Sequence, residues 1–520
     1  MLIVSALAGC ASLPPGGASP KSQSTALAHP EDTRLGRRFA GAAREHAGNS
    51  GYRMLSVGVD GFLTRVQAID AAERTIDLQY YIFHEDQTGQ LIADSLLRAA
   101  GRGVRVRILV DDGETVAGDE RLLTLDGRDG IEVRVFNPFE YRGHNRLMRT
   151  GDFLLHEPRL DYRMHNKLLV VDNAIALIGG RNIGDQYFQV DPESQFADDD
   201  VFVAGPVTKQ LSEMFDEFWN GRLAVPAAAL AHAQPRSADP PDRRQQARAR
   251  RQQEKAAGID YVQRIATGEP FDGLISGRLP LSWSHARFIC DSADKKHVLK
   301  GEAFGNLMYK PVADAVAETR SELLMVTPYF VPTDAEKRLL IDLRHRGARV
   351  RILTNSLEAA PELSAHSGYK HYRAQLLQEG VELYEARSLL GNARGSGQTA
   401  RISRFGNYAL HAKLYVFDRG RVVIGSMNFD QRSNRLNTED GLIIDSAEIA
   451  TQVATRFEAM TTPENAYSLA LRADARGKRR LTWRTVEQGK TVEYTAEPAR
   501  SAWEKMKVEL LSLLPLDREL

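Results

Sequence analysis

A pattern of nineteen residues is written twice in this chain, as MHNKLLVVDNAIALIGGRN (Met164 to Asn182) and as LHAKLYVFDRGRVVIGSMN (Leu410 to Asn428). His165 recurs as His411, Lys167 as Lys413, Asp172 as Asp418, Gly179 as Gly425 and Asn182 as Asn428, every pair separated by 246 positions. Nothing else in the sequence constrains the fold as strongly. A chain that repeats so specific a spacing is built from two copies of one unit.

The repeat extends upstream and between the motifs. GRGVRVRILVDD (101–112) matches HRGARVRILTNS (345–356), TIDLQYYIFHED (75–86) matches ELLMVTPYFVPT (322–333), and GIEVRVF (130–136) matches GVELYEA (380–386). Each half therefore reads strand, helix (91–100 or 335–344), strand, helix, strand, then a hairpin carrying the motif. Alternation of this kind predicts an α/β sandwich around a mostly parallel or mixed sheet. The halves are placed at 50–225 and 301–460, and 520 residues accommodate two such domains with appendages. Residues 226–300 read as a polar linker and insert, of which the Arg-rich 234–258 is either surface or a patch for phosphate or lipid headgroups. The extension 461–520 carries Trp483 and Trp503, and its Leu510, Leu511, Leu513 and Leu514 are expected to cover a core face.

Composition narrows the partners. Lys plus Arg equals Asp plus Glu at 68 each, so the whole molecule has no net attraction for nucleic acid or anionic lipid, although a local basic groove is compatible with this balance. Two cysteines, Cys10 and Cys290, make neither a disulfide framework nor a zinc cluster. Cys10 closes the apolar run MLIVSALAGC, which resembles the lipobox of bacterial lipoproteins, although no basic residues precede the run. That resemblance implies cleavage before Cys10, its acylation and a lipid anchor in the bacterial envelope facing the periplasm, with residues 11–34 as a flexible tether.

The chemistry lies in the motif. Side chains two apart share a strand face, so His165 and Lys167 point together, as do His411 and Lys413, and such a face suits an anion. Asp172 and Asp418 fall five residues beyond the lysines, on the opposite face, where each closes an apolar run before a turn; turn chemistry is the preferred reading. Asn182 and Asn428 follow glycines that permit close approach, and their amides can donate to a phosphoryl oxygen. Asp198 and Glu439 stand in matching context further on, as carboxylates able to orient a histidine.

H-x-K-x4-D-x6-G-G/S-x-N, present twice, resembles the HKD signature of the phospholipase D superfamily, the one departure being Gly180 where the second copy has Ser426. The resemblance spans about 50–460 and implies two sandwich domains related by a pseudo-twofold axis, with one active site at their interface and neither metal nor cofactor. It implies that His165, Lys167, Asp172, His411, Lys413 and Asp418 form the catalytic set, with Asn182 and Asn428 on the phosphate and Asp198 and Glu439 orienting the imidazoles. His165 would act as nucleophile and His411 as acid, then base.

HSGYKHYRAQLLQEGVELYEA (366–386) resembles a segment of bacterial cardiolipin synthases, and His366, Lys370 and Arg373 are candidates for a headgroup phosphate. With the length and the Cys10 feature, this points to the short cardiolipin synthases without transmembrane helices. The expected reaction passes a phosphatidyl group from phosphatidylglycerol or phosphatidylethanolamine to phosphatidylglycerol at a membrane surface, with no nucleic-acid partner. A hydrolytic phospholipase D, a nuclease of the same superfamily and a non-enzymatic binding module are the other readings.

Overall fold

The computed structural model describes Gly17 and residues 19–113, 125–141, 145–190, 194–230, 270–388, 407–473 and 477–513. Cys10 and the Arg-rich 234–258 lie outside these residues. Two mixed sheets dominate. The first runs, in spatial order, Ser282–Ser284, Ser50–Leu55, Asp200–Ala204, Ile175–Gly179, Lys167–Val171, Thr75–Tyr80, Arg105–Asp111, Ile131–Phe136 and Ala224–Pro226. The second runs Ala286–Cys290, Asp440–Ile444, Arg421–Gly425, Leu414–Phe417, Glu322–Val326, Arg349–Asn355, Glu382–Ala386, Ala466–Ala473, Arg479–Glu487 and Lys490–Tyr494.

Six consecutive strands of each sheet correspond, from Asp200–Ala204 to Ile131–Phe136 and from Asp440–Ile444 to Glu382–Ala386. In both, the last three are parallel and the first strand of the motif hairpin pairs antiparallel with the nearest of them. Crossover helices supply the parallel connections, as Gln87–Gly101 does in the first half and Asp334–His345 in the second. Asp86 caps the first helix and a Thr333/Glu336 capping box starts the second.

Strand alternation sends apolar side chains to three cores. Leu169, Val171, Ile175 and Leu177 pack outward against helices Gly58–Ala71 and Gln87–Gly101. Tyr415, Phe417 and Val423 do the same on the other side, with Asp334–His345 and Leu363–Gln378. Between them lies a core belonging to neither half. Leu168, Val170, Ala176 and Ile178 of the first sheet share it with Leu414, Val416, Val422 and Ile424 of the second and with helices Val207–Asn220 and Ala447–Met460.

Three expectations need correction. Residues 21–27 are not a free tether but a docked strap: Ser22 O accepts from Arg134 Nη2 (2.7 Å), Ser24 O from Arg107 Nη1 (2.8 Å) and Leu27 O from Asn173 Nδ2 (2.9 Å). Two buried guanidiniums need acceptors, and an extended backbone provides them. The insert and extension are also more than appendages. Ser282–Ser284 edges the first sheet, Ala286–Cys290 edges the second, and three strands after residue 461 lengthen the second. Finally, Leu510 and Leu513 are exposed rather than buried, because helix Ala502–Leu511 buries only Val508 of its own residues. Among the described residues no helix is long and apolar enough to cross a membrane.

Candidate active site

The motif hairpin is pinned at one end and open to chemistry at the other. Asp172 and Asp418 stand at the turn with φ of +53° and +51°, a left-handed conformation that aspartate tolerates. Asp172 accepts from the backbone N–H groups of Glu73, Arg74 and Thr75, and Asp418 from those of Arg320, Ser321 and Glu322. Each carboxylate thus clamps the start of the neighbouring parallel strand. The structure gives Asp172 and Asp418 a scaffold position, apart from the other catalytic candidates.

At the opposite end, His165 and His411 lie just before their strands, which begin at Lys167 and Leu414. Backbone pairing carries each histidine to the other half. Asn407–Leu410 runs parallel to Ser194–Ala197, and His411 N donates to Ala197 O at 2.8 Å. Met164 bridges Thr438, and His165 N donates to Thr438 O at 2.9 Å. The residue that follows on each receiving strand is the carboxylate. His165 Nδ1 therefore meets Glu439 Oε2 at 2.8 Å, and His411 Nδ1 meets Asp198 Oδ2 at 2.5 Å. With a carboxylate accepting at Nδ1, the Nε2 of each ring is the nitrogen left for chemistry.

The lysines are buried beside them. Lys167 Nζ donates to His165 O, and Lys413 Nζ donates to His411 O and sits 3.2 Å from His411 Nε2. Burial, then Lys413, lowers Lys167 to about 7, and burial lowers Lys413 to about 8. Burial and then both lysines hold His165 well below 6.5, while burial and Lys413 bring His411 to about 3 against the pull of Asp198. Such crowding of buried positive charge is relieved by an anion.

The two carboxylates differ although their places correspond. Burial opposes ionisation of Asp198, but His411, Lys413 and Arg181 outweigh it and hold Asp198 well below the usual carboxylate range. Burial pushes Glu439 up to about 7, against Lys167 and the Ser426 hydroxyl. Ser426 Oγ donates to Glu439 Oε2 at 2.5 Å and Ser433 Oγ to Oε1 at 2.8 Å. The Gly180/Ser426 difference has its reason here. A Cβ on Gly180 would lie 2.0 Å from Asp198 Oδ1, so the first half leaves no room for the side chain that the second half uses.

Asn182 is engaged by its own half: its Nδ2 donates to Tyr187 Oη at 2.8 Å and its Oδ1 accepts from Ile82 N at 3.2 Å. Asn428 is buried with Oδ1 unpartnered within the protein. Asp199 and Asp200 are buried in ion pairs: Asp199 with Arg456 at 2.9 Å, and Asp200 with Arg65 at 2.9 Å and Arg181 at 3.0 Å. His366 and Arg373 are taken by Glu497 (2.7 and 2.6 Å), and Lys370 by Glu509. This cluster ties the C-terminal extension to helix Leu363–Gln378 instead of reaching toward a headgroup.

Sequence reasoning did not single out several neighbours. Tyr81 stands edge-on to His165 (5.1 Å between centroids), with Tyr187 and Phe196 around His411 at 5.3 and 5.1 Å. Asp291, bound to Lys295 at 2.9 Å, accepts from Glu439 N. The aromatic strand end QYYIF hinted at Tyr81, but no local pattern marks Asp291.

A family model described as "Cardiolipin synthase, PLD-like domain" matches residues 66–219 and 312–461. Cardiolipin synthase C of Escherichia coli is 35% identical over 487 residues, covering 91% of this chain and 97% of its own. Cardiolipin synthase A of Pseudomonas syringae is 26% identical over 79% of this chain and 68% of its own. Among solved structures, phosphatidylserine synthase of Haemophilus influenzae superposes with a TM-score of 0.51 at 15% identity, over 83% of this chain and 92% of that one, a likeness of fold. With its repeated sandwich and crossed histidine pairs, the chain belongs to the cardiolipin synthase family of phospholipase D-like phosphatidyltransferases.

Proposed function

We propose that this protein makes cardiolipin by transferring a phosphatidyl group onto the glycerol hydroxyl of phosphatidylglycerol, by way of a phosphohistidine on His165. The observation that carries the reading is the crossed pairing of His165 with Glu439 and His411 with Asp198, which leaves the Nε2 of each ring for chemistry. His165 Nε2 attacks phosphorus, and the departing headgroup alcohol takes a proton from His411. The acceptor hydroxyl then returns its proton to His411 as it displaces His165, with retention at phosphorus after two in-line steps.

The carboxylates favour this division of labour. Ionised Asp198 supports an imidazolium on His411, and Glu439, pushed up to about 7 by burial, leaves His165 closer to the neutral nucleophile. Lys167 and Lys413 stabilise the charge that grows on the equatorial oxygens, and the amide nitrogen of Asn428 donates to it in this reading. An entering diester adds negative charge and so returns the lysines and His411 toward their charged forms. Asp172 and Asp418 act by holding the hairpin. The protein works at a membrane surface, with acylated Cys10 as anchor on the periplasmic side.

Mass spectrometry of products from mixed phosphatidylglycerol and phosphatidylethanolamine vesicles tests the assignment. Cardiolipin is expected, formed by neither His165→Ala nor His411→Ala. Phosphatidic acid alone would assign hydrolysis instead, and DNA cleavage without lipid turnover would assign a nuclease. Labelled palmitate should enter the wild type in cells and not Cys10→Ser.

A further inference from the structure

Helix Arg146–Leu160 is amphipathic the wrong way round for a protein surrounded by water. Its exposed residues include Leu147, Met148, Leu154 and Leu155, exposed by 83%, 56%, 71% and 80%, with Thr150, Glu157 and Pro158 exposed beside them. With Gly151 the three leucines and Met148 follow the i, i+1, i+4, i+7, i+8 spacing of one helical stripe. Its inward side is polar. The Arg149 guanidinium lies over the Phe139 ring at 3.8 Å and donates to Gly113 O. Asp152 accepts from Tyr141 N at 2.8 Å and from His156 Nδ1, and Arg159 donates to Asn137 Oδ1 at 2.9 Å. The helix kinks at His156, ahead of Pro158, so the stripe occupies the straight part.

Its location specifies what should cover it. Four residues lie between Leu160 and His165, and the helix leans on Gly113, near which Asp111 accepts from Met164 N at 2.8 Å. A second element touches the end of the helix: Lys296 donates to Pro158 O, and the residues after it expose Leu299, Lys300, Glu302 and a wholly uncovered Phe304. Aliphatic and aromatic side chains interleaved with lysines suit the boundary between acyl chains and anionic headgroups. Four aliphatic side chains fall short of the roughly 800 Å² per partner that a stable protein interface buries.

We infer that the outward stripe of helix Arg146–Leu160 inserts among the acyl chains of a lipid bilayer and seats the paired histidines at its surface. The inference rests on the phospholipid reading of the site. A substrate whose diester must reach buried imidazoles while its chains remain in the bilayer requires the enzyme to sit on that bilayer. The stripe is then the part of the protein left in apolar surroundings, and no spanning helix is needed.

The test uses the full chain carrying Cys10→Ser, so that acylation contributes nothing, floated with vesicles of phosphatidylglycerol and phosphatidylethanolamine. Combining Leu147→Ser, Leu154→Ser and Leu155→Ser should lower the floated fraction at least about five-fold and raise KM on vesicle substrate about ten-fold, with kcat unchanged. Turnover of a short-chain, water-soluble analogue should not change. Leu155→Ser alone serves if the triple variant is poorly folded, and a roughly two-fold loss of flotation is expected of it. Flotation that ignores these substitutions overturns the inference, and if particle mass halves instead, the stripe belongs to a second copy of this chain. His165→Ala should float like the parent. Stripe-dependent flotation of a protein that turns over no phospholipid would sink the proposed reaction and leave the bilayer seat standing.

Discussion

Gly180 and Ser426 occupy equivalent places in the two motifs and cannot exchange roles. Any side chain at 180 displaces Asp198 from His411, so Gly180→Ser should lower kcat/KM about a hundred-fold, measured on vesicle substrate. Ser426→Gly removes one hydrogen bond to Glu439, worth about 1–2 kcal/mol, and should cost about ten-fold. The lysines make a prediction about stability. Lys167 is lowered from 10.5 to about 7, so between those values the folded state binds fewer protons than the unfolded one and stability rises with pH. Below about 7 the cost of keeping that buried ammonium is felt in full. Lys167→Met should therefore match or exceed the wild type in Tm at pH 6, lose that advantage toward pH 10, and turn over about a thousand-fold more slowly. A Tm that falls at pH 6 would contradict this account.

The hairpins and short pairings are where spacing becomes geometry. Asp172 and Asp418 each gather three backbone N–H groups of a neighbouring strand, which explains an aspartate five residues beyond each lysine without a part in the reaction. Asp172→Ala should destabilise by roughly 3 kcal/mol in urea titrations, since charged hydrogen bonds are lost from a buried site. Asp418→Ala should cost less because Asp418 is exposed, and KM of the folded fraction should stay put in both. The pairing of Asn407–Leu410 with Ser194–Ala197 places a histidine of one half beside a carboxylate of the other. Helix 146–160 shows the converse, an apolar periodicity whose direction only packing reveals.

Across the molecule, the halves share a core and a site, so neither is complete alone. Residues 301–520 contain His411 but lack Asp198, and the front half contains His165 but lacks Glu439. Mixing separately made halves should restore no turnover unless they reassemble. Because Leu168, Val170, Leu414 and Val416 meet in one core, calorimetry of the intact chain should show a single main transition. Leu168→Ala should shift that transition as a whole, by about 2–5 kcal/mol of stability. Two resolved transitions would mean that the central core does not couple the halves.

Much of this architecture is written in local order. The doubled motif, the alternation of strands and helices and the matching acidic positions are sequence-near patterns, and backbone periodicity turns them directly into a repeated sandwich. Other features depend on residues brought together from far along the chain. Crossing joins positions 274 and 213 apart, and one clash with Asp198 decides Gly180. Glu497 claims His366 and Arg373, and buried Arg107 and Arg134 draw residues 22–24 onto the body. Hydrogen-bond satisfaction and burial are settled by the closest partner in space, and a pattern read along one dimension names the groups without naming that partner.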